Sequence, residues 1–131
     1  FDAVPGTSGF FRLALGELDG AERDRVAVGM VTIDPERDSG RVLRGYVSSF
    51  VPGGHALGTD DPAIRARVAR VFGAGYGVEK QPDGKVEVSH TAFTYVVDDR
   101  GRLILQWPFG TPWEDMHDDL EALLEDRKQS A

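Results

Sequence analysis

The stretch His90-Thr91-Ala92-Phe93-Thr94-Tyr95-Val96-Val97 decides how this chain folds. It is rich in aromatic and β-branched residues, a composition that predicts a strand over residues 90–97. The next four residues, Asp98-Asp99-Arg100-Gly101, predict a turn, and residues 103–107 are expected to pair back antiparallel until Pro108 stops the strand. The C-terminal half therefore contains an antiparallel strand pair.

Helical and strand patterns on both sides of this pair predict an α/β protein. Four helices are expected, and each begins at a residue or motif that commonly caps helices: Ser8, the end of the polar loop 34–39, Asp61, and a capping box over 111–114. An apolar run over 26–33 predicts a strand buried on both faces, and 78–88 predicts a hairpin. With one strand placed in front, the order becomes the βαβαββα plan of the thioredoxin-like fold, with an inserted helix and hairpin.

The composition of the 131 residues is that of a single globular domain. Charged residues make up 28% of the chain, and no apolar run approaches the ~18 residues of a membrane-spanning helix. The net charge of -7 argues against a nucleic-acid partner, because binding to phosphates requires clustered Lys and Arg. Residues 126–131 are expected to fray.

The chain contains no cysteine. Disulfides, thiolate nucleophiles and cysteine-based zinc or iron–sulfur sites are therefore excluded, and so is thiol–disulfide exchange. A peroxidase or reductase on this fold would rely on cysteine, so we do not expect an enzyme.

Three segments, in this order, resemble the Sco/SenC family of copper-handling proteins. They are Val31-Thr32-Ile33-Asp34-Pro35-Glu36-Arg37-Asp38, Leu43-Arg44-Gly45-Tyr46-Val47-Ser48-Ser49-Phe50, and residues 90–98 with Gly101-Arg102-Leu103 and Pro108-Phe109-Gly110. The likeness extends over residues 26–124. It implies a thioredoxin-like domain that acts in copper handling and in assembly of the CuA centre of cytochrome c oxidase.

The resemblance also implies a copper site made by two cysteines of a CxxxC motif and a later histidine. In this chain Val4 and Ser8 occupy the cysteine positions, and His90 occupies the histidine position. Neither Val4 nor Ser8 is expected to bind, because valine offers no ligand and a neutral hydroxyl is a poor ligand for soft Cu(I). His90 is thus the candidate metal ligand, with a hydrogen-bonded structural role at the sheet end as the alternative. Copper is the cofactor that the resemblance implies, and no other cofactor is expected.

The other polar candidates have simpler interpretations. We expect His55 to be a solvent-facing loop residue and His117 to be a solvated, acid-flanked residue of the last helix. The carboxylates of Asp34, Glu36 and Asp38 are better explained by caps and loop solvation than by a metal. Trp107 and Trp113 are expected to pack at a rim, and Ser8 paired with His90 is a remote candidate for a nucleophile and its base.

The first core strand of the thioredoxin plan has no counterpart in the chain. That strand would lie between the strands predicted at 26–33 and 90–97, so we expect the domain over 1–131 to be N-terminally incomplete. Residues upstream or another chain would then supply the strand, since unpaired buried backbone groups cost on the order of 1–3 kcal/mol each. The alternative is that residues 1–8 are placed differently from the alignment with the CxxxC motif.

Two functions follow from this sequence. The first is a Sco-like role beside a respiratory oxidase subunit or a copper carrier, on the periplasmic, extracytoplasmic face of a bacterial membrane. Association with the membrane would then run only through an anchor outside this chain. The second is a degenerate thioredoxin-like module with a structural or protein-interaction role and no metal or redox activity.

Overall fold

The computed structural model describes residues 5–32, 34–90 and 93–129, with only the backbone described for 5–8, Tyr76, Val78 and 86–90. Helices and strands alternate along most of it. Their bounds are α1 Pro5–Gly16, α2 Gly20–Arg23, β1 Gly29–Val31, α3 Gly40–Phe50, β2 His55–Leu57, α4 Pro62–Phe72, β3 Tyr76–Lys80, β4 Val86–His90, β5 Phe93–Val97, β6 Leu103–Pro108 and α5 Trp113–Gln129. This order confirms the mixed α/β class.

Several helix ends are set by the residues that the sequence singled out. Ser39 accepts a hydrogen bond from the Val42 amide at the start of α3, and Asp61 accepts one from the Ala63 amide at the start of α4. Gly73 ends α4 in the left-handed conformation, with φ 63°. These three local signals work because each satisfies backbone groups that the helix itself leaves free.

Other predicted boundaries are wrong. Ser8 does not cap the first helix, because α1 already includes Pro5; this helix ends at Gly16. The short helix α2 follows instead, held by a capping box between Asp19 and Glu22. Helix α5 extends through Gln129, and the fraying expected for residues 126–131 stays a prediction. Residues 130 and 131 lie outside the described part.

Six strands pair as three two-stranded sheets within the described residues. β1 and β2 are parallel, with Met30 opposite Ala56, whereas β3–β4 and β5–β6 are antiparallel hairpins. The predicted strand over 26–33 is shorter than expected, and both Gly29 and Val31 are exposed. Gly29 and Val31 share one face of β1 because side chains alternate along a strand, so that face is exposed and β1 is not buried on both faces. The expected vacant position between β1 and β5 stays a prediction.

The core lies where α1, α5 and β6 meet. Its buried members come from all three elements and from the end of α3: Ala14, Leu15, Leu18, Val51, Trp107, Met116 and Leu120. Helix α3 adds Leu43 and Val47, whereas α4 contributes no buried residue. None of the described helices combines the length and apolar character needed to cross a membrane.

A close backbone approach fixes the connection from α3 to β2. A Cβ atom on Gly54 would overlap Val47 Cγ1 and would lie 3.0 Å from the Val51 carbonyl oxygen. Both contacts are shorter than van der Waals separation, so only glycine fits this bend. The bend carries the chain from the core-facing helix into the strand that pairs with β1.

Candidate functional site

The residues that the family resemblance singles out lie at the edge of what the structure describes. His90 is the last residue of β4, where its Cα is opposite Tyr76 of β3. It was predicted to open the strand over 90–97, and that placement is wrong, because the β3–β4 pairing continues to His90 and β5 begins at Phe93. Its side chain is outside the description, as is that of Ser8 in α1. Val4 lies outside the described residues altogether.

The donor set available to copper can be judged from the residue types. A tight Cu(I) site needs soft sulfur ligands, and the chain has no cysteine. One imidazole at position 90 does not replace two thiolates. The residues present therefore do not fit the family's copper site, and the proposed pairing of Ser8 with His90 stays untested.

The carboxylates after β1 serve the loop, as the sequence suggested. Thr32 Oγ1 donates to Asp38 Oδ2 at 2.9 Å and accepts from the Asp34 amide at 3.0 Å. The Asp34 carboxylate also pairs with the Arg37 guanidinium. These oxygens hold the turn that leads into α3, which explains their spacing without a metal.

Trp107 does not pack at a rim. Its side chain is 4% exposed in the core, its Nε1–H donates to Asp119 Oδ2 at 2.8 Å, and its ring meets Phe11 edge-on. The prediction failed because the sequence does not reveal that this face of β6 turns toward α1 and α5. Trp113 is half-buried and lines a surface cleft.

That cleft, of about 230 Å³, lies beside α5 and is strongly acidic. Its lining residues are Glu17, Trp113, Glu114, His117, Asp118 and Glu121. The prediction for His117 is half wrong: acids flank it, but its side chain is only 17% exposed, and Glu17, which follows α1, lines the same cleft.

His117 is held among carboxylates. Its Nδ1 lies 3.1 Å from Asp118 Oδ1, and its Nε2 lies 4.0 Å from Glu121 Oε1. The hydrogen bond to Asp118 raises the pKa of His117, with further contributions from Glu121 and the Glu17 backbone against the opposing effect of burial. The three side chains are spaced closely enough to hold a metal ion. The raised pKa means that these carboxylates stabilise the protonated imidazole, whose positive charge offsets part of their negative charge.

His55 lies in β2 rather than in a loop, although it is exposed as predicted. A three-residue strand gives too short a pattern to detect. Among the described residues, nothing joins His55, His117 and the end of β4 into one site.

Comparison with known proteins gives one family. The SCO1/SenC family model matches residues 12–125. The solution structure of apo Sco1 from Thermus thermophilus superimposes with a TM-score of 0.77 at 31% identity, over 94% of this chain and 74% of that one. ScoI from Bradyrhizobium japonicum, with copper bound, gives 0.76 at 28% identity, over 93% of this chain and 76% of that one.

A third structure, Arabidopsis thaliana ScoI with copper bound, gives a TM-score of 0.73 at 19% identity, over 95% of this chain and 80% of that one. At that identity the likeness speaks for the fold alone. No curated protein matches the chain. Together with the element order, these similarities confirm the thioredoxin-like α/β fold.

Proposed function

The chain belongs to the SCO1/SenC family, and from that premise we propose that it acts in copper handling and in assembly of the CuA centre of cytochrome c oxidase. The observation that carries the proposal is the family match over residues 12–125. The 28% identity to a ScoI solved with copper bound supports it. The proposed partner is a respiratory oxidase subunit or a copper carrier, on the extracytoplasmic face of a bacterial membrane.

The role we propose is that of a protein partner rather than a tight copper carrier. Without cysteine the chain cannot hold Cu(I) between thiolates or reduce a disulfide on its target. His90 could contribute one imidazole, completed by donors of the partner. The function is therefore not that of a thiol enzyme.

Titration with Cu(I) and with Cu(II) tests the metal side of this proposal. The wild-type chain, His90→Ala and a control, His55→Ala, are compared, because His55 is an exposed histidine on a different strand. We expect no tight Cu(I) binding in any of them, and weak Cu(II) binding that only the His90 substitution lowers. Tight Cu(I) binding to the wild type would contradict the partner role.

Association with the oxidase tests the other side. The purified chain is mixed with the soluble CuA domain of the oxidase, in apo and copper-loaded forms, and binding is measured by calorimetry. Binding to either form supports a role in assembly. If neither the CuA domain nor a copper carrier binds, the proposal is wrong.

The absence of cysteine also favours a second candidate, an interaction module without metal or redox activity. Such a module would bind its partner equally well whether or not copper is present. A copper-loaded partner that binds the chain differently from the apo partner distinguishes the first function from the second.

A further inference from the structure

Helix α4 carries positive charge in an acidic protein. Its eleven residues include Arg65, Arg67 and Arg70 and no acid, so the helix contributes +3 to a chain whose net charge is -7. The remainder of the chain therefore carries -10. The nearest acids, Asp60 and Asp61, precede the N-terminus, where Asp61 caps the helix.

The arginine charges of α4 are not neutralised within the described part of the chain. Elsewhere Arg37, Arg102 and Arg127 pair with aspartates. None of the three α4 arginines forms such an ion pair with a described residue. Arg67 and Arg70 are exposed, whereas Arg65 is half-buried and donates from Nη1 to the Thr59 carbonyl.

Apolar side chains lie beside these charges. Ile64 and Val71 each lie one helical turn from Arg67, on the same face of the helix, and they are 47% and 73% exposed. The helix packs through another edge, where the Phe72 ring meets the Tyr95 ring of β5 at a centroid distance of 5.1 Å. Ile64, Arg67, Arg70 and Val71 thus form a continuous free patch, called the α4 patch below.

We propose that the α4 patch is a docking surface for a protein partner that presents an apolar contact bordered by carboxylates. Arginine together with exposed apolar side chains is the composition that protein interfaces favour, and arginine pairs with carboxylates through two parallel hydrogen bonds. Charge complementarity selects an acidic partner, because α4 carries the largest positive charge of the described helices. This proposal depends on the proposed function in one respect only, which is that both require a protein partner.

A membrane surface fits the patch less well. Helices that lie on bilayers bury a wide apolar face, commonly with Trp, Phe or Leu, and α4 exposes two large apolar residues, Ile64 and Val71. The -10 carried by the rest of the chain would also be repelled by anionic lipid. An eleven-residue helix is about 16 Å long, which suits part of a small, transient protein interface.

Binding of a designed probe tests the surface without copper or oxidase. The probe is a synthetic amphipathic helix of Glu and Leu in heptads, compared with the same peptide carrying Lys in place of Glu. We expect the Glu peptide to shift amide resonances of α4 in the labelled chain, and the Lys peptide to leave them unchanged. No shift with the Glu peptide would overturn the proposal, while leaving the copper-handling function standing.

Matched charge reversals locate the contact. Arg67→Glu with Arg70→Glu should weaken binding of the Glu peptide at least about tenfold, whereas Arg41→Glu with Arg44→Glu on exposed α3 positions should change it less than about twofold. Circular dichroism and thermal melting confirm that both variants fold. Equal losses in the two variants would mean attraction to overall charge and would overturn the patch.

Vesicles of anionic and of neutral lipid complete the test. We expect neither to bind the wild-type chain. If the chain binds anionic vesicles and the Arg67/Arg70 variant does not, the α4 patch binds a membrane surface. That result would overturn the proposal of a protein partner.

Discussion

Two regions of the molecule bury very different amounts of apolar surface. One is the core formed by α1, α5 and β6, and the other is the helix α4, although the helices of both regions have an apolar face. Leu15, Met116 and Leu120 are all buried, whereas Ile64 and Val71 on α4 remain exposed. Helical periodicity predicts that one face is apolar, but it does not say whether another element covers that face. The difference separates a region that stabilises the fold from a region that is free to bind.

The largest expected effect comes from truncating one side chain in each of the two regions. Trp107→Ala should lower the free energy of unfolding by about 3–5 kcal/mol, because it removes a buried ring and its hydrogen bond to Asp119. Val71→Ala should change it by less than about 0.5 kcal/mol, since that side chain is 73% exposed. Urea denaturation followed by circular dichroism measures both. Similar losses would mean that α4 is as well packed as the core.

The dependence of stability on acid pH tests whether the turn at Asp98 belongs to the region that stabilises the fold. Asp98 accepts from the Arg100 and Arg102 amides at 2.9 Å and from the Arg127 guanidinium of α5 at 3.0 Å. The Arg102 amide, followed by the Arg102 guanidinium and the Arg100 amide, lowers the pKa of Asp98 to about 2 against the opposing effect of burial. A depressed pKa contributes stability that is fully present above the ordinary value of 3.8 and is lost as the pH falls through about 2.

We therefore expect Asp98→Asn to be less stable than the wild type above pH 4 and to lose less stability between about pH 4 and pH 2. Asp99→Asn is the control, because Asp99 is exposed and pairs with the same arginine, Arg127. Denaturation midpoints across that pH range give the comparison. If the denaturation midpoint of Asp98→Asn falls with pH as steeply as that of the wild type, the proposed role of this carboxylate is wrong.

The smallest expected effect concerns His117 on the same side of the molecule. Its raised pKa means that the stabilising contacts with Asp118 and Glu121 are present below the ordinary value of 6.5 and are lost as the pH rises through the folded-state pKa. His117→Gln should remove this dependence on pH. Thermal melting between about pH 5 and pH 8 measures it, with His55→Gln as the control. If the melting temperature of the His117 variant still falls over this pH range, another titrating group causes the dependence on pH.

The sequence was most informative where a local rule determines the structure. The turn after Val97 contains Gly101 at φ 75°, and the helix starts at Ser39 and Asp61 use side-chain caps. Such features depend on neighbours within a few residues, so a single sequence predicts them. The thioredoxin-like plan followed from their order and from the family resemblance.

Features that depend on distant contacts were not predictable in this way. The strand β2 has three residues and exists because Gly54 allows the chain to return beside β1. The burial of Trp107 and His117 depends on where α1 crosses α5. At the candidate site, the assignment of His90 to the strand over 90–97 was wrong, because the β3–β4 pairing places His90 at the end of the preceding strand, β4.

The bend at Gly54 has a consequence for how this sequence can change over time. Every residue that a single nucleotide change can substitute for glycine carries a Cβ atom, and that atom would overlap Val47 Cγ1 and the Val51 carbonyl. Any substitution at position 54 therefore requires α3 and β2 to move apart, whatever happens at the metal-ligand positions. Lineages that keep the packing of α3 against β2 should retain glycine there even after their chemistry has diverged.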